Sequence, residues 1–510
     1  MLKIVPKYLY KLLKVILYVD NISVMIKGFE GNHFTVRFLS LEINNFSCIR
    51  HGSVSMVGAD SSVSDILGVY GQNGSGKSAL VNALAFLRLL LCGAGIESIS
   101  HYVRAGETEA SFKAEFLIFG GEKTKKFEYS VTVRQNRDAF DKWAVKEEKT
   151  VVSDFQNPKN KMSFEYSALE GPSHVKPASL ADSFVRFMQG KVRTESSVDK
   201  SDSVPPELFF LMQREISRFY KSSYIFHPNM LRLYQDYGAS VKEETLADYL
   251  FIMNEYAQKF MFVMNDSFLQ DPMQRESKLP VLLPNQSFSK PGQLGYFALE
   301  LENPTYVIEQ NDGEFGVFLA QINYFLEPLV PGICLVAKRI EQSAMDSAGG
   351  KLYQVFSRKN GFDVPLKFES LGIKKLISLI NVMVLAYKNP SVLMVVDEFD
   401  SSMHECVLKT FFTALKEGGK GQLLFTSNNL YPLELLDRTQ CCFTTVNEED
   451  RFATLKYVKP NNNLRSLYLS EICGSKKDSK NPGLFNPISA EKTRNVFESE
   501  FYGEKDSQNL

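Results

Sequence analysis

The octapeptide Gly71-Gln-Asn-Gly-Ser-Gly-Lys77-Ser78 matches G-x-x-x-x-G-K-[ST] and restricts this chain to few folds. Such a loop works between a buried strand and the start of a helix. There, backbone N–H groups and the positive end of the helix surround an anion. The flanks suit that role. Asp65–Tyr70 is a short apolar run, and Lys77–Cys92 reads as a mostly buried helix stopped by Gly93. Gly71, Gly74 and Gly76 permit a tight turn and close approach of backbone to phosphate. Asn73, Ser75 and Ala79 are counted with them as nucleotide-binding positions. Lys77 is expected to reach the β- and γ-phosphates, and the Ser78 hydroxyl to bind Mg²⁺. The alternative is a glycine turn with an incidental lysine.

A second motif lies far downstream. Val392–Val396 is a continuous apolar strand that ends in Asp397-Glu398. It places two carboxylates at a strand's carboxyl end, where open α/β sheets bind ligands. Asp397 is expected to hold Mg²⁺ through water, and Glu398 to act as general base on the attacking water. The alternative use of this pair is to cap the next helix. Together the motifs point to an α/β P-loop fold using ATP and Mg²⁺.

Five regions are expected. Residues 1–33 form an N-terminal extension, and 34–150 carry the glycine loop among alternating strands. Residues 151–330 read as a mainly helical insertion, with helices at Glu207–Lys221 and Glu243–Asn265. Residues 331–460 return to strands and helices, including a hairpin at Cys442–Val446 and Phe452–Val458. Residues 461–510 read as a polar, loosely ordered tail. Residues 1–19 carry four lysines, too many for a bilayer span, and Met25 is an alternative start. No membrane partner is expected.

The net charge of -1 gives no global field for nucleic acid, so DNA binding is left open. Seven scattered cysteines and six histidines complete no zinc site, and reduced thiols in a cytosolic protein are expected. A metal nuclease in cis is not expected, because the tail contains no Asp-x-Asp site.

Glu369-Ser370-Leu371-Gly372-Ile373-Lys374-Lys375 stands directly before a helix, about 25 residues ahead of Asp397. Here the chain resembles the ABC-type ATPase superfamily, whose signature sets Ser and Gly two residues apart at a helix N-terminus. The resemblance implies that Ser370 and Gly372 bind the γ-phosphate of a nucleotide on another subunit, so that two heads sandwich ATP. It further implies that Ser401-Ser402-Met403-His404 is the loop crossing that interface, with His404 in place of the usual Asp and counted with Glu398, Lys77 and Asn428 among the catalytic candidates. Asn428 stands where the family has its switch histidine. Asparagine can hydrogen-bond a γ-phosphate but takes up no proton near neutral pH, so slow hydrolysis is expected. No glutamine is assigned to the Q-loop.

Within the superfamily the chain is similar to compact SMC-, RecF- and OLD-like heads, over about 34–135 and 331–460. The matching stretches are Leu39–Phe46, Tyr102-Val-Arg104-Ala-Gly106-Glu, Ala110–Phe116 and the motifs above. The expected fold is an ABC-ATPase head with an antiparallel β subdomain and a helical insertion. Many such relatives are ATPase subunits of bacterial anti-phage systems of the PARIS, Septu and retron-linked types. The resemblance implies a homodimer or higher homo-oligomer, a separate effector (a nuclease) and a phage trigger. A RecF/SMC-like DNA-repair ATPase is the competing reading. It predicts salt-dependent DNA binding.

Overall fold

The computed structural model describes residues 34–58, 62–96, 99, 101–120, 123–135, 143–168, 171–176, 206–240, 244–265, 278–281, 295–298, 304–308, 312–340, 350–455, 463–473, 484–485 and 494. The N-terminal extension, 1–33, and most of the tail lie outside these residues.

β1 (Phe34–Phe46) and β2 (Ile49–Ser55) form a hairpin, and β3 (Ile66–Tyr70) leads into the glycine loop. After the helix Lys77–Leu91 come β4 (Glu109–Gly120), β5 (Lys123–Gln135), β6 (Trp143–Asp154), β7 (Lys161–Ser167) and β8 (Gly171–Lys176). These strands, without β3, make a seven-stranded sheet in the order β2-β1-β4-β5-β6-β7-β8, antiparallel throughout. Its sequence alternates as one buried face requires: in β4, Ala110, Phe112, Ala114 and Phe116 are all buried.

Among the described residues, three helices follow, Pro206–Phe219, Pro228–Ser240 and Leu246–Lys259, and then β9 (Met261–Met264). β10 (Lys278–Val281) pairs with β11 (Gly295–Ala298). β12 (Thr305–Ile308), the helix Asp312–Leu326, β13 (Ile333–Ile340), β14 (Gly350–Lys359) and β15 (Phe362–Pro365) form a smaller antiparallel unit. The chain continues with the helix Leu371–Lys388, β16 (Leu393–Val396), the helix Glu405–Gly418 and β17 (Gln422–Ser427). It ends in β18 (Cys441–Thr444), β19 (Phe452–Ala453) and the helix Leu464–Cys473.

The core sheet has six strands in the order β19-β18-β3-β17-β16-β9. All its pairs are parallel except that of β18 with the edge strand β19. Ile66–Tyr70 and Leu393–Val396 are buried at every residue, the pattern of parallel strands covered on both faces. Each such Leu, Val or Ile stabilises the fold by about 1.5–3 kcal/mol.

The two large sheets are stitched by polar side chains. Gln422 Nε2 donates to the Phe38 carbonyl (2.9 Å), and its Oε1 accepts from the Phe38 N–H (2.8 Å). The Val36 N–H donates to Ser391 Oγ at 3.1 Å, and Arg37 donates to the Lys420 carbonyl at 2.6 Å. The fold is thus an α/β P-loop head with an antiparallel β subdomain.

Three expectations need correction. The boundary at 150 falls inside β6, and β7 and β8 extend the same sheet beyond it. The expected helix to Asn265 stops at Lys259, and Met261–Met264 is a core strand paired with β16. Apolar Met-Phe-Val-Met suits either state locally; tertiary pairing chooses the strand. In the expected loose tail, the helix Leu464–Cys473 buries Leu464, Tyr468 and Ile472 in the core. No helix among the described residues is long and apolar enough to cross a membrane.

Candidate functional site

Strand register decides which residues meet. β17 lies between β3 and β16, with Tyr70 opposite Ser427 and Val396 opposite Phe425. The glycine loop, Asn428 and the Asp397-Glu398 pair therefore leave one end of three adjacent strands. Neighbouring strands lie roughly 5 Å apart, so the loop and the acidic pair are roughly 10 Å apart, enough for phosphates between them.

Within the loop, Gly74 and Gly76 have φ of 74° and 110°, a region glycine adopts without strain. Gly76 is the N-cap of the helix Lys77–Leu91, and no side chain caps that end. Its first-turn amides are available to an anion. Gly71 is needed for another reason. A Cβ there would sit 1.7 Å from Thr444 Oγ1 of β18. Thr444 also pairs with the Ser75 hydroxyl.

Lys77 is buried, and its Nζ donates to the carbonyls of Gly71 (2.8 Å) and Gln72 (3.2 Å). Burial lowers its pKa, and the charges of Asp397, Glu398 and Asp400 pull it back up. The ammonium therefore lies in the field of the acidic loop. Asn73, Gly74 and Ser78 are exposed on the loop, and Ala79 is buried behind it.

Asp397 is buried at the end of β16, and Thr426 Oγ1 donates to its Oδ1. The Glu398 N–H donates to the same Thr426 hydroxyl at 2.8 Å. Glu398 has φ of 45°, a left-handed backbone that costs a non-glycine residue roughly 1–2 kcal/mol. Lys375 Nζ and the Ser401 N–H (2.8 Å) both donate to its carbonyl. Asn428 Nδ2 donates to Glu398 Oε1 at 3.2 Å. An exposed amide thus holds a carboxylate whose backbone is fixed from three sides.

Ser370 and Gly372 open the helix Leu371–Lys388. Ser370 is its N-cap, and its Oγ accepts from the Ile373 N–H at 3.3 Å. A Cβ on Gly372 would lie 2.1 Å from the Ser402 carbonyl of the same chain. This glycine therefore has an intrachain purpose, whatever else it does. His404 is the exposed N-cap of the helix Glu405–Gly418, its Nδ1 accepting from the Cys406 N–H at 3.2 Å.

The geometry adds Thr426, Lys375 and Thr444 to the residues expected from sequence. Thr426 carried a signal, a hydroxyl directly after the apolar run Leu423–Phe425 of its strand. Thr444 carried none, and Lys375, though it closes the motif Glu369–Lys375, gave no sign of its partner, because these partners lie on other elements. The donor set suits a hard cation. Ser78 offers a hydroxyl and Asp397 a carboxylate, the oxygen ligands Mg²⁺ takes alongside waters and substrate phosphates.

Several solved structures are similar to this chain. An SMC head bound to the C-winged helix domain of ScpA has 12% identity and a TM-score of 0.36, covering 82% of this chain and 98% of that chain. The SMC head domain from Thermotoga maritima has 14% identity and a TM-score of 0.29, covering 82% and 99%. The recombination mediator protein RecF with ATP has 11% identity and a TM-score of 0.32, covering 83% and 100%. Likeness this distant carries no argument about function. No curated protein sequence matches the chain. A family model described as "AAA domain, putative AbiEii toxin, Type IV TA system" matches residues 66–433, which run from the strand before the glycine loop to beyond Asn428. Because that match takes in most of the chain and the whole constellation at the ends of β3, β16 and β17, the protein belongs to this family of AAA domains.

Proposed function

We propose that this protein is an ATP-binding and ATP-hydrolysing switch of a bacterial anti-phage defence system, controlling a separate effector, a nuclease. One observation carries the reading: Lys77, Asp397, Glu398 and Asn428 lie at the carboxyl ends of three adjacent parallel strands, beside an uncapped helix N-terminus. The toxin–antitoxin description of the family supports the defence link.

In this mechanism the loop amides and Lys77 grip the phosphates. Ser78 and Asp397 would hold Mg²⁺, which when bound neutralises phosphate charge. Glu398 accepts a proton from the water that attacks the γ-phosphorus. Asn428 steadies Glu398 and faces the phosphate. It cannot relay a proton, so turnover is slow. Ser370 and Gly372 of a second copy close over the nucleotide, and hydrolysis reopens the pair. In this reading, regions within 151–330 contact the effector or a phage component.

The test is purification with the product of the neighbouring gene, together with ATP turnover of the wild type and Lys77→Ala. The account expects a nuclease that stays bound until infection, and turnover lost in Lys77→Ala. Protein that binds no ATP sinks the reading. Tight DNA binding that weakens steeply with salt replaces it with a repair ATPase.

A further inference from the structure

The helix Leu371–Lys388 meets the acidic loop of its own chain at two places. One is Gly372, whose Cα packs against the Ser402 carbonyl so closely that a Cβ would lie 2.1 Å away. The other is Lys375, three residues further along the helix and only 6% exposed. Burying an ammonium is costly unless it is hydrogen-bonded. Its Nζ donates to the Glu398 carbonyl and lies 3.5 Å from the Asp397 carbonyl. Glu398 and Ser402 both have left-handed backbones, with φ of 45° and 63°. Such conformations persist where the surroundings over-determine them. Around Glu398 those surroundings are Thr426 on the N–H side, and Lys375 together with the Ser401 N–H on the carbonyl side.

The geometry points to Lys375 as a positioning residue that ties the helix begun by Ser370 to the backbone of Glu398 in the same chain. This rests on the proposed function above. There the N-terminus of that helix grips a nucleotide held by a second copy. A shift of the helix on docking moves the carbonyl that Lys375 holds. With it turns the peptide whose left-handed φ aims the Glu398 carboxylate. Each copy thus sets its own Glu398 according to whether its own helix has docked on its partner. The two half-sites become interdependent through a contact neither nucleotide touches. Lys375 itself meets no substrate.

Lys375→Met tests this, because it keeps the aliphatic stem and removes the donor. Lys375→Arg restores a cation. The measurements are kcat, KM, direct ATP binding and melting temperature of the full chain. A displaced catalytic group costs about a hundredfold for an ångström, so kcat is expected to fall about tenfold to a hundredfold in Lys375→Met. KM, ATP binding and melting temperature should stay near wild type, and Lys375→Arg should recover part of the loss. Unchanged kcat in Lys375→Met overturns the proposal. So does a fall in binding and melting temperature in step with kcat, or failure of Lys375→Met to fold, since each makes the lysine structural only. A wild type without ATP turnover fails at the parent reading, before Lys375 is altered; wild-type turnover indifferent to Lys375 sinks the coupling alone.

Discussion

Two helices at the candidate site begin at glycine-bearing N-termini, and they use their glycines differently. At the helix Lys77–Leu91, Gly76 takes a φ of 110°, and no side chain caps the first turn. At the helix Leu371–Lys388, Ser370 caps the turn and Gly372 makes room for the Ser402 carbonyl. The first end is left open to an anion by its own chain. The second is already engaged internally, so its sequence motif does not by itself imply a ligand. The lesson is that a glycine in a binding motif must be asked what would occupy its missing Cβ.

That contrast can be broken or sharpened by four substitutions. The largest effect belongs to Lys77→Ala. A hydrogen bond to a charged group is worth about 1.5–3 kcal/mol, so ATP affinity should fall about tenfold to a hundredfold or more, read by calorimetry. Retained affinity would show that the open helix end is not the phosphate site. Next is Gly372→Ala. Forcing a methyl against the Ser402 carbonyl should cost about 1–3 kcal/mol of stability without any nucleotide, measured by urea unfolding. An unchanged midpoint would return Gly372 to a purely ligand-facing role. Ser370→Ala removes a cap and should cost about 1 kcal/mol, with Ser370→Gly recovering most of it. Smallest is His404→Ala, which also loses a cap, about 0.5–1 kcal/mol, while ATP turnover stays at the wild-type rate. A collapse of turnover at intact stability would place the imidazole in the site.

Much of this was legible in the sequence where local rules suffice. Gly71–Ser78 between an apolar run and a helix, and Asp397-Glu398 after Val392–Val396, each announce the end of a core strand, where β3 and β16 end. Asn428 was found through the resemblance, as the residue standing where the family has its switch histidine, and the structure sets its amide 3.2 Å from Glu398. What stayed hidden depends on distant partners. Met261–Met264 reads as helix until β16 lies beside it. Strands β7 and β8 are short and variable in alternation, so their membership of the long sheet is set by the strand each pairs with, β6 for β7 and β7 for β8, rather than by their own pattern. Lys375 looks like a solvated charge until the Glu398 carbonyl appears above it.

The central claim is that two copies close over ATP held by the open helix end. Sedimentation of Glu398→Gln with and without MgATP tests it most directly, because this variant should bind nucleotide but not hydrolyse it. The account predicts a lower-order species without nucleotide, a stable dimer or higher oligomer with MgATP, and loss of that shift when Ser370→Arg is added. A mass unchanged by MgATP, in protein shown to have bound it, would contradict the account.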